Sequence, residues 1–378
     1  MKMNSKESLP VPGSLLKLAL IACAIALVPV CQAQTDLVQA EDYISPIKLE
    51  IPASAPLNRI GINYLMGFNM SVNFSHLGGL QLSDPGPPSG STVNRTYDNG
   101  YNYVDISGNS GNLTWYWGYQ SPQSAQGGNL VLQSDSTPPT AASGRYQDRP
   151  QSGIELTYSR ELTRGKHLRF GVETAFGYNA ISISDDQTLS YYAYRTSDSY
   201  ALNGVILPAA PYSGTFAGPG PLIPSSLTSA DRSITVLPDA ATISGQRKVD
   251  ASVFLLRLGP YLEVPLSRKF SMTLSGGLSL AVADTVFSFS ESVSISDPSY
   301  GIAVASSKPS SASGSAIDLL VGGYGGASLA YALSDRVSLR AGAIFQGTGR
   351  AVDNQGGKQA TLNLNQSVIV SIGASYAF

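Results

Sequence analysis

The sequence predicts an all-β chain: a transmembrane antiparallel up-and-down β-barrel of eight strands, with ten as the alternative count. Three observations predict it. Long stretches alternate apolar and polar residues, tight turns alternate with long loops, and the front of the chain reads as an export signal. Residues 361–378 show the alternation best, with Leu362, Leu364, Val368, Val370, Ile372, Ala374, Tyr376 and Phe378 on one face. Thr361, Asn363, Asn365, Ser367, Ser371, Gly373 and Ser375 take the other, with Gln366 and Ile369 as misfits. A period of two is the mark of a strand with one greasy and one wet face. Soluble strands run to about 5–6 residues, whereas a barrel wall needs about 9–11 to cross the hydrocarbon.

The chain opens differently. Lys2, Lys6 and Lys17 precede the apolar run 18–30, broken only by Pro29, and Cys31-Gln32-Ala33 is a small-x-small cleavage site. A run of about 13 residues is too short for a spanning helix and suits a signal peptide over 1–33. Lipidation at Cys31 is the alternative, against which bulky Val30 argues. The two cysteines, Cys23 and Cys31, both lie in this segment, so the exported chain is expected to carry no disulfide and no cysteine metal site. With 13% charged residues and a net charge of −2, no basic stripe favours nucleic acid.

Residues 34–57 show no clear period. They read as a periplasmic segment, or alternatively as one folded partly into the barrel mouth. Residues 58–74 then form the first strand, with Ile60, Ile62, Tyr64, Met66, Phe68, Met70, Val72 and Phe74 on one face and Leu65 as the intruder on the other. A long segment, about 76–150, separates it from 153–161. The turn 162–165 leads back through 168–178, and a second long segment, about 181–247, follows. Two more hairpins run through the turns 265–268 and 332–335, and the final strand closes the count. The barrel thus covers 58–378. Short turns gather at one end and long loops at the other, the asymmetry of bacterial barrels, whose turns are periplasmic. Closure of strand one on strand eight removes the edges that lipid cannot satisfy. The ten-strand alternative would add a hairpin from 113–119 and 129–132. An extracellular hairpin extending the wall is the preferred reading, because 129–132 is too short to cross.

Ser371-x-Gly373-x-x-Tyr376-x-Phe378 resembles the C-terminal targeting signal of bacterial outer-membrane β-barrels, and the resemblance implies the barrel-assembly machinery as a partner. In size and layout residues 58–378 resemble the small barrels of the OmpA, OmpX and OmpW type. That implies a monomer in outer-membrane lipid; no peptidoglycan-binding domain is expected, so the anchoring role is not carried over.

Inward-facing charges by this alternation are Glu155, Glu161, Arg169, Glu173, Arg257, Glu263, Asp318 and Arg340. An eight-stranded bore is only wide enough to be filled by side chains, so the charges are expected to pair across strands in a watery plug; a gated ion path is the alternative. Catalysis is not expected. Ser75-His76 has the residue types of a hydrolase pair, but neighbours on a strand point to opposite faces unless a bend intervenes. His167 has no evident partner. Asp105 to Asn109 could offer oxygens to a calcium ion but reads as a plain turn, and no metal or other cofactor is expected. The outer loops carry Tyr97, Tyr101, Tyr103, Trp115, Trp117 and Tyr119, with Tyr116 beside them and Tyr191, Tyr192, Tyr194 and Tyr200 in the second. They could face an extracellular glycan or protein, or else cap the barrel. The function expected is structural or adhesin-like, with a narrow porin-like channel as the alternative and a lipid-modifying hydrolase behind it.

Overall fold

The computed structural model describes residues 57–147, 149–165, 167–297, 302–306 and 309–378; the expected signal peptide and residues 34–56 lie outside them. Eight wall strands follow the chain: β1 (Asn58–Phe68), β2 (Gln151–Arg164), β3 (Arg169–Asp185), β4 (Arg232–Pro265), β5 (Phe270–Asp297), β6 (Ser310–Ala332), β7 (Val337–Gly347) and β8 (Ser367–Ala377). Each pairs antiparallel with the next, and β8 pairs back onto β1 from Arg59↔Ala377 to Phe68↔Val368. The ring is closed.

The alternation places its apolar half outward. Ile62, Leu278, Leu319 and Val321 are each more than 60% exposed. A continuous apolar belt of this kind would be a liability in water and is the ordinary outer surface of a barrel in lipid. Rings mark its rims: Tyr178 meets Phe254 at 5.2 Å at the loop end, and Phe270 meets Tyr331 at 5.0 Å at the turn end. On β4 the outward residues are apolar from Phe254 to Val264, then change to Ser252, Asp250 and Lys248. The belt is therefore about one hydrocarbon thickness tall.

Above the belt the wall continues. β4 and β5 stay paired from Ser252↔Asp284 to Ala241↔Ile295, which at about 3.4 Å per residue carries the ladder roughly 35–40 Å along the strands past the membrane. Strand Leu189–Ala201 joins the edge of β4, and Asn129–Thr137 joins Leu189–Ala201. Parts of 181–247 and, within 76–150, the strand Asn129–Thr137, expected as long loops, thus extend the same sheet outward. The stretches 113–119 and 129–132 do not form one hairpin: Trp117–Tyr119 pairs with Gly100–Asn102 and Tyr212–Ser213 in a separate small sheet.

Neither terminal strand is continuous. The first breaks at Asn69, whose φ is 60°, and resumes as Ser71–Ser75; the last breaks at 364–366 between Lys358–Asn363 and β8. Asn69 Nδ2 donates to the Gln366 carbonyl at 2.7 Å, locking the two kinks together. The kinked pieces form a four-stranded sheet with Arg145–Tyr146 and Arg350–Gln355. This sheet folds over the bore and buries Val72, Phe74, Ala360 and Leu362 against Ile181, Ile183, Val249 and Phe287. Phe74 and Phe287 lie 5.7 Å apart. Period two alone could not reveal the breaks, because the alternation resumes in phase after each.

Candidate functional site

Inside the ring, chemistry changes with height. Nearest the turns, Glu263 accepts from Arg59 at 2.5 Å and from Arg169 at 3.3 Å, and Glu161 pairs with Arg164 at 2.5 Å. Higher up, Glu155 pairs with Arg257, both almost wholly buried, and Arg340 stands 3.6 Å from Glu173. Asn63 donates to Glu155 at 3.1 Å, and the Arg257 guanidinium sits 4.9 Å over the Tyr324 ring. A buried carboxylate or guanidinium is tolerable only with such partners, because stripping its water costs several kcal/mol. Seven of the eight charges singled out in the sequence enter these pairs. Asp318 does not. It lies nearer the loop end and accepts the Val352 amide at 2.9 Å, holding the folded-over sheet.

Arg59, Arg164, Asn63 and Tyr324 complete the layer and were missed. Arg59 and Asn63 occupy the same odd-numbered face of β1 as the buried glycines, and that shared parity was the available signal. Gly373 has its own part here: a Cβ would strike the Ile62 carbonyl and the Asn63 side chain. Its bareness lets Asn63 lean toward Glu155. Of the other terminal-signal residues, Ser371 borders the charged layer, while Tyr376 and Phe378 are exposed at the turn-end rim with their rings stacked.

Above the charges the bore is filled by apolar side chains. Leu65, Leu255, Leu320, Ile344 and Ile369 are buried in one apolar cluster that continues into the folded-over sheet. The inward half of the alternation, expected to hold a watery plug of ion pairs, here packs apolar side chains instead. The two misfits of the alternation, Leu65 and Ile369, belong to the plug.

A second core lies farther out, in the extension. Trp117, Tyr97, Tyr119 and Tyr200 are buried there with Leu130, Leu132 and Ile223. Tyr97 donates to Asp198 at 2.5 Å and contacts the Tyr200 hydroxyl at 2.8 Å, while Arg232 grips Asp198 with two bonds of 2.7 Å. Burial raises the Tyr97 hydroxyl pKa, with the neighbouring Tyr200 and the Asp198 carboxylate adding to it. Tyr200 is raised by the same loss of solvent. Buried Arg95 is held by the carbonyls of Pro87, Ser89, Gly90, Val93 and Ser225. The segment from Asp84 to Gly90 is thereby tied to the core without a helix or a long strand.

Tyr97, Trp117 and Tyr119, for which a binding surface and a cap on the barrel were both open, are core residues of the extension. Tyr101, Tyr103 and Trp115 stay partly exposed. Tyr101 meets Tyr103 at 4.7 Å and Tyr116 at 5.7 Å, Tyr103 meets Tyr116 at 5.2 Å, and Tyr116 meets exposed Phe216 at 6.2 Å. Trp115 borders the group, its indole donating to the Phe216 carbonyl at 3.3 Å. This is an accessible aromatic cluster without a charged member.

The remaining candidates resolve simply. His76 adopts φ 59°, and this bend brings its Nδ1 within 3.3 Å of the Ser75 hydroxyl. The expected opposition of the two side chains therefore fails at the bend, yet among the described residues no carboxylate hydrogen-bonds the imidazole. Asp105 accepts from the amides of Ser107 (2.8 Å), Trp115 (3.2 Å) and Asn109 (3.4 Å) and from the Ser107 hydroxyl at 2.5 Å. Burial would raise its pKa, but these bonds outweigh burial and lower it. The carboxylate is committed to its own turn.

No protein-family model matches the sequence, and no curated protein matches it. Solved structures similar to it include Ail, the attachment invasion locus protein of Yersinia pestis, at 9% identity over 86% of this chain and 99% of that one, with a TM-score of 0.27. The outer-membrane protease OmpT from Escherichia coli aligns at 9% identity over 86% and 98%, with a TM-score of 0.31. The outer-membrane protein OprG from Pseudomonas aeruginosa aligns at 10% identity over 86% and 97%, with a TM-score of 0.24. The closed ring and its apolar belt decide the class. The chain is a membrane-spanning β-barrel.

Proposed function

We propose that this barrel is exported through the signal peptide at 1–33, inserted by way of its C-terminal strand, and displays a carbohydrate-binding surface outside the cell. The observation that carries the reading is the half-exposed cluster of Tyr101, Tyr103, Tyr116 and Phe216 at the loop end. Aromatic faces hold the C–H faces of sugars, and phenol hydroxyls lend hydrogen bonds at the edges. Burial of Trp117 and Tyr119 beneath the cluster fixes its shape in advance, which lowers the ordering cost of binding. The lack of a charged member favours neutral saccharides. A glycan array probed with the purified full chain in detergent tests this. Binding of neutral saccharides that is lost in Tyr103→Ala/Tyr116→Ala supports it; no wild-type binding, or binding unaltered by the double variant, overturns it.

The apolar plug speaks against the channel reading. Leu65, Leu255 and Ile369 meet an ion in the upper bore with apolar side chains, where shedding its water is costly. Planar-bilayer recordings are therefore expected to be silent, and defined unitary steps from the wild type would restore the channel.

A further inference from the structure

The turn-end mouth of the bore opens into a cavity of about 280 Å³ walled by Arg59, Arg164, Arg169 and Arg340, with Arg268, Lys269 and Arg336 at its rim. Carboxylates do not balance it. Arg59 and Arg169 share the single Glu263. Arg164 and Arg340 have Glu161 and Glu173, but Arg268, Lys269 and Arg336 have no carboxylate in ion-pair range among the described residues. Lys269 instead faces the Tyr331 ring at 5.8 Å, and Arg336 reaches the Tyr376 hydroxyl at 3.4 Å. Among the described residues at the rim, Asp335 is the one acid. The basin is left with an excess of positive charge.

The chain enters the wall beside it. The Leu57 carbonyl accepts the Glu161 amide at 2.8 Å, so residue 57 sits next to the Glu161–Arg164 pair. Immediately before it, residues 34–56 carry Asp36, Glu41, Asp42 and Glu50 against a single Lys48. We propose that this acidic stretch docks in the cationic mouth of its own barrel. At no more than about 3.6 Å per residue, Glu50 can lie within roughly 25 Å of Leu57 and the earlier acids farther, which covers the basin. Tethering supplies a local concentration on the order of millimolar, so weak charge pairing suffices. Pairing at an open rim is screened by salt. The contact is independent of the carbohydrate surface, which lies at the opposite end.

Carbodiimide coupling of the full chain in detergent, which joins an amine to a carboxylate only where they touch, tests the docking. A peptide linking Lys269 to Asp36, Glu41, Asp42 or Glu50 is expected at low salt. It should fall at least fivefold in 1 M NaCl, where the screening length is about 3 Å, and likewise in Arg268→Gln/Arg336→Gln. Coupling of Lys269 to Asp335 or Glu263 alone, or coupling indifferent to salt and to the rim arginines, overturns the proposal. Inorganic pyrophosphate serves as a second probe, measured by calorimetry. It should bind about tenfold tighter when Asp36→Asn, Glu41→Gln, Asp42→Asn and Glu50→Gln are combined, because the competitor then carries no carboxylate. Equal affinity in the two proteins would mean a mouth open to foreign anions, and the proposal fails.

Discussion

The two halves of the bore are drawn by the same alternation and filled with opposite chemistry. In the turn-end half, Glu155, Arg257, Glu173, Arg340 and Glu263 interlock across strands; in the loop-end half, Leu65, Leu255, Ile344 and Ile369 pack as an apolar layer, and the buried pairs Arg247–Asp185 and Lys358–Glu291 lie beyond it, under the extension. Parity tells which face of a strand turns inward. It does not tell what waits there, because that depends on whether another segment folds over the opening. Here the sheet built from Ser71–Ser75 and Lys358–Asn363 covers the loop end and supplies the apolar partners.

The sharpest way to break the comparison is to remove one partner of a buried ion pair. Arg257→Leu strands Glu155, which is 3% exposed, and leaves Asn63 as its remaining donor. A buried charge left without its counter-ion costs about 3–5 kcal/mol. The midpoint of unfolding in urea, followed by the loss of the compact electrophoretic form, should fall accordingly. Combining Arg257→Leu with Glu155→Leu should recover most of it. If the single variant is as stable as the wild type, the charged layer is hydrated and the contrast between the halves disappears.

The upper half answers to size rather than charge. Leu65→Ala empties a fully buried position, and deletions of this kind cost about 2–5 kcal/mol depending on how well the site collapses. Leu65→Asp sharpens the point. It places a carboxylate in the apolar layer, is expected to draw in water, and should convert a silent barrel into one with measurable conductance in planar bilayers. Silence from a folded Leu65→Asp barrel would show that the seal lies elsewhere.

How much of this was legible follows the same division. The ring, its tight turns and the inward parity of Glu155, Glu173, Arg257 and Glu263 were readable, because lipid and a closed sheet enforce period two over the whole span. The plug was visible only as two errors in the pattern, Leu65 and Ile369. Beyond the membrane the constraint changes: the extension of β4 and β5 is buried on one face by folded-back segments, and the outward face of β5 there is largely serine. Ser288, Ser290, Ser292 and Ser294 on β5 read as loop composition, although they line a strand. The burial of Trp117 and Tyr119 stayed undecided for a related reason. A short strand of three residues carries too little alternation to say which side is covered.

The outer core should part from the barrel at high pH. Burial raises the Tyr97 and Tyr200 hydroxyls above the unfolded value of about 10. The fold therefore favours their neutral forms. The stability they contribute is complete below pH about 10 and is lost as pH rises from there through the folded values. Ultraviolet titration should show these phenols ionising late, together with release of the outer extension to subtilisin while the ring persists. Ordinary midpoints near 10 without proteolytic release would contradict the buried network around Asp198.

The smallest effect belongs to the outward face just above the belt. Lys248 and Asp250 stand on the same strand 2.7 Å apart, each more than two-fifths exposed. Water screens such a pair, and holding two mobile side chains together offsets much of the attraction, so exposed pairs contribute about 0–1 kcal/mol. Asp250 also accepts from the Ser182 hydroxyl at 2.7 Å across the β3–β4 ladder, a bond that survives in Lys248→Ala. That variant should therefore unfold within about 1 kcal/mol of the wild type and lose even this difference at high salt. A cost comparable to that of Arg257→Leu would mean that the position is desolvated by surrounding lipid or sugar, and the boundary between membrane and extension would have to be drawn higher on β4.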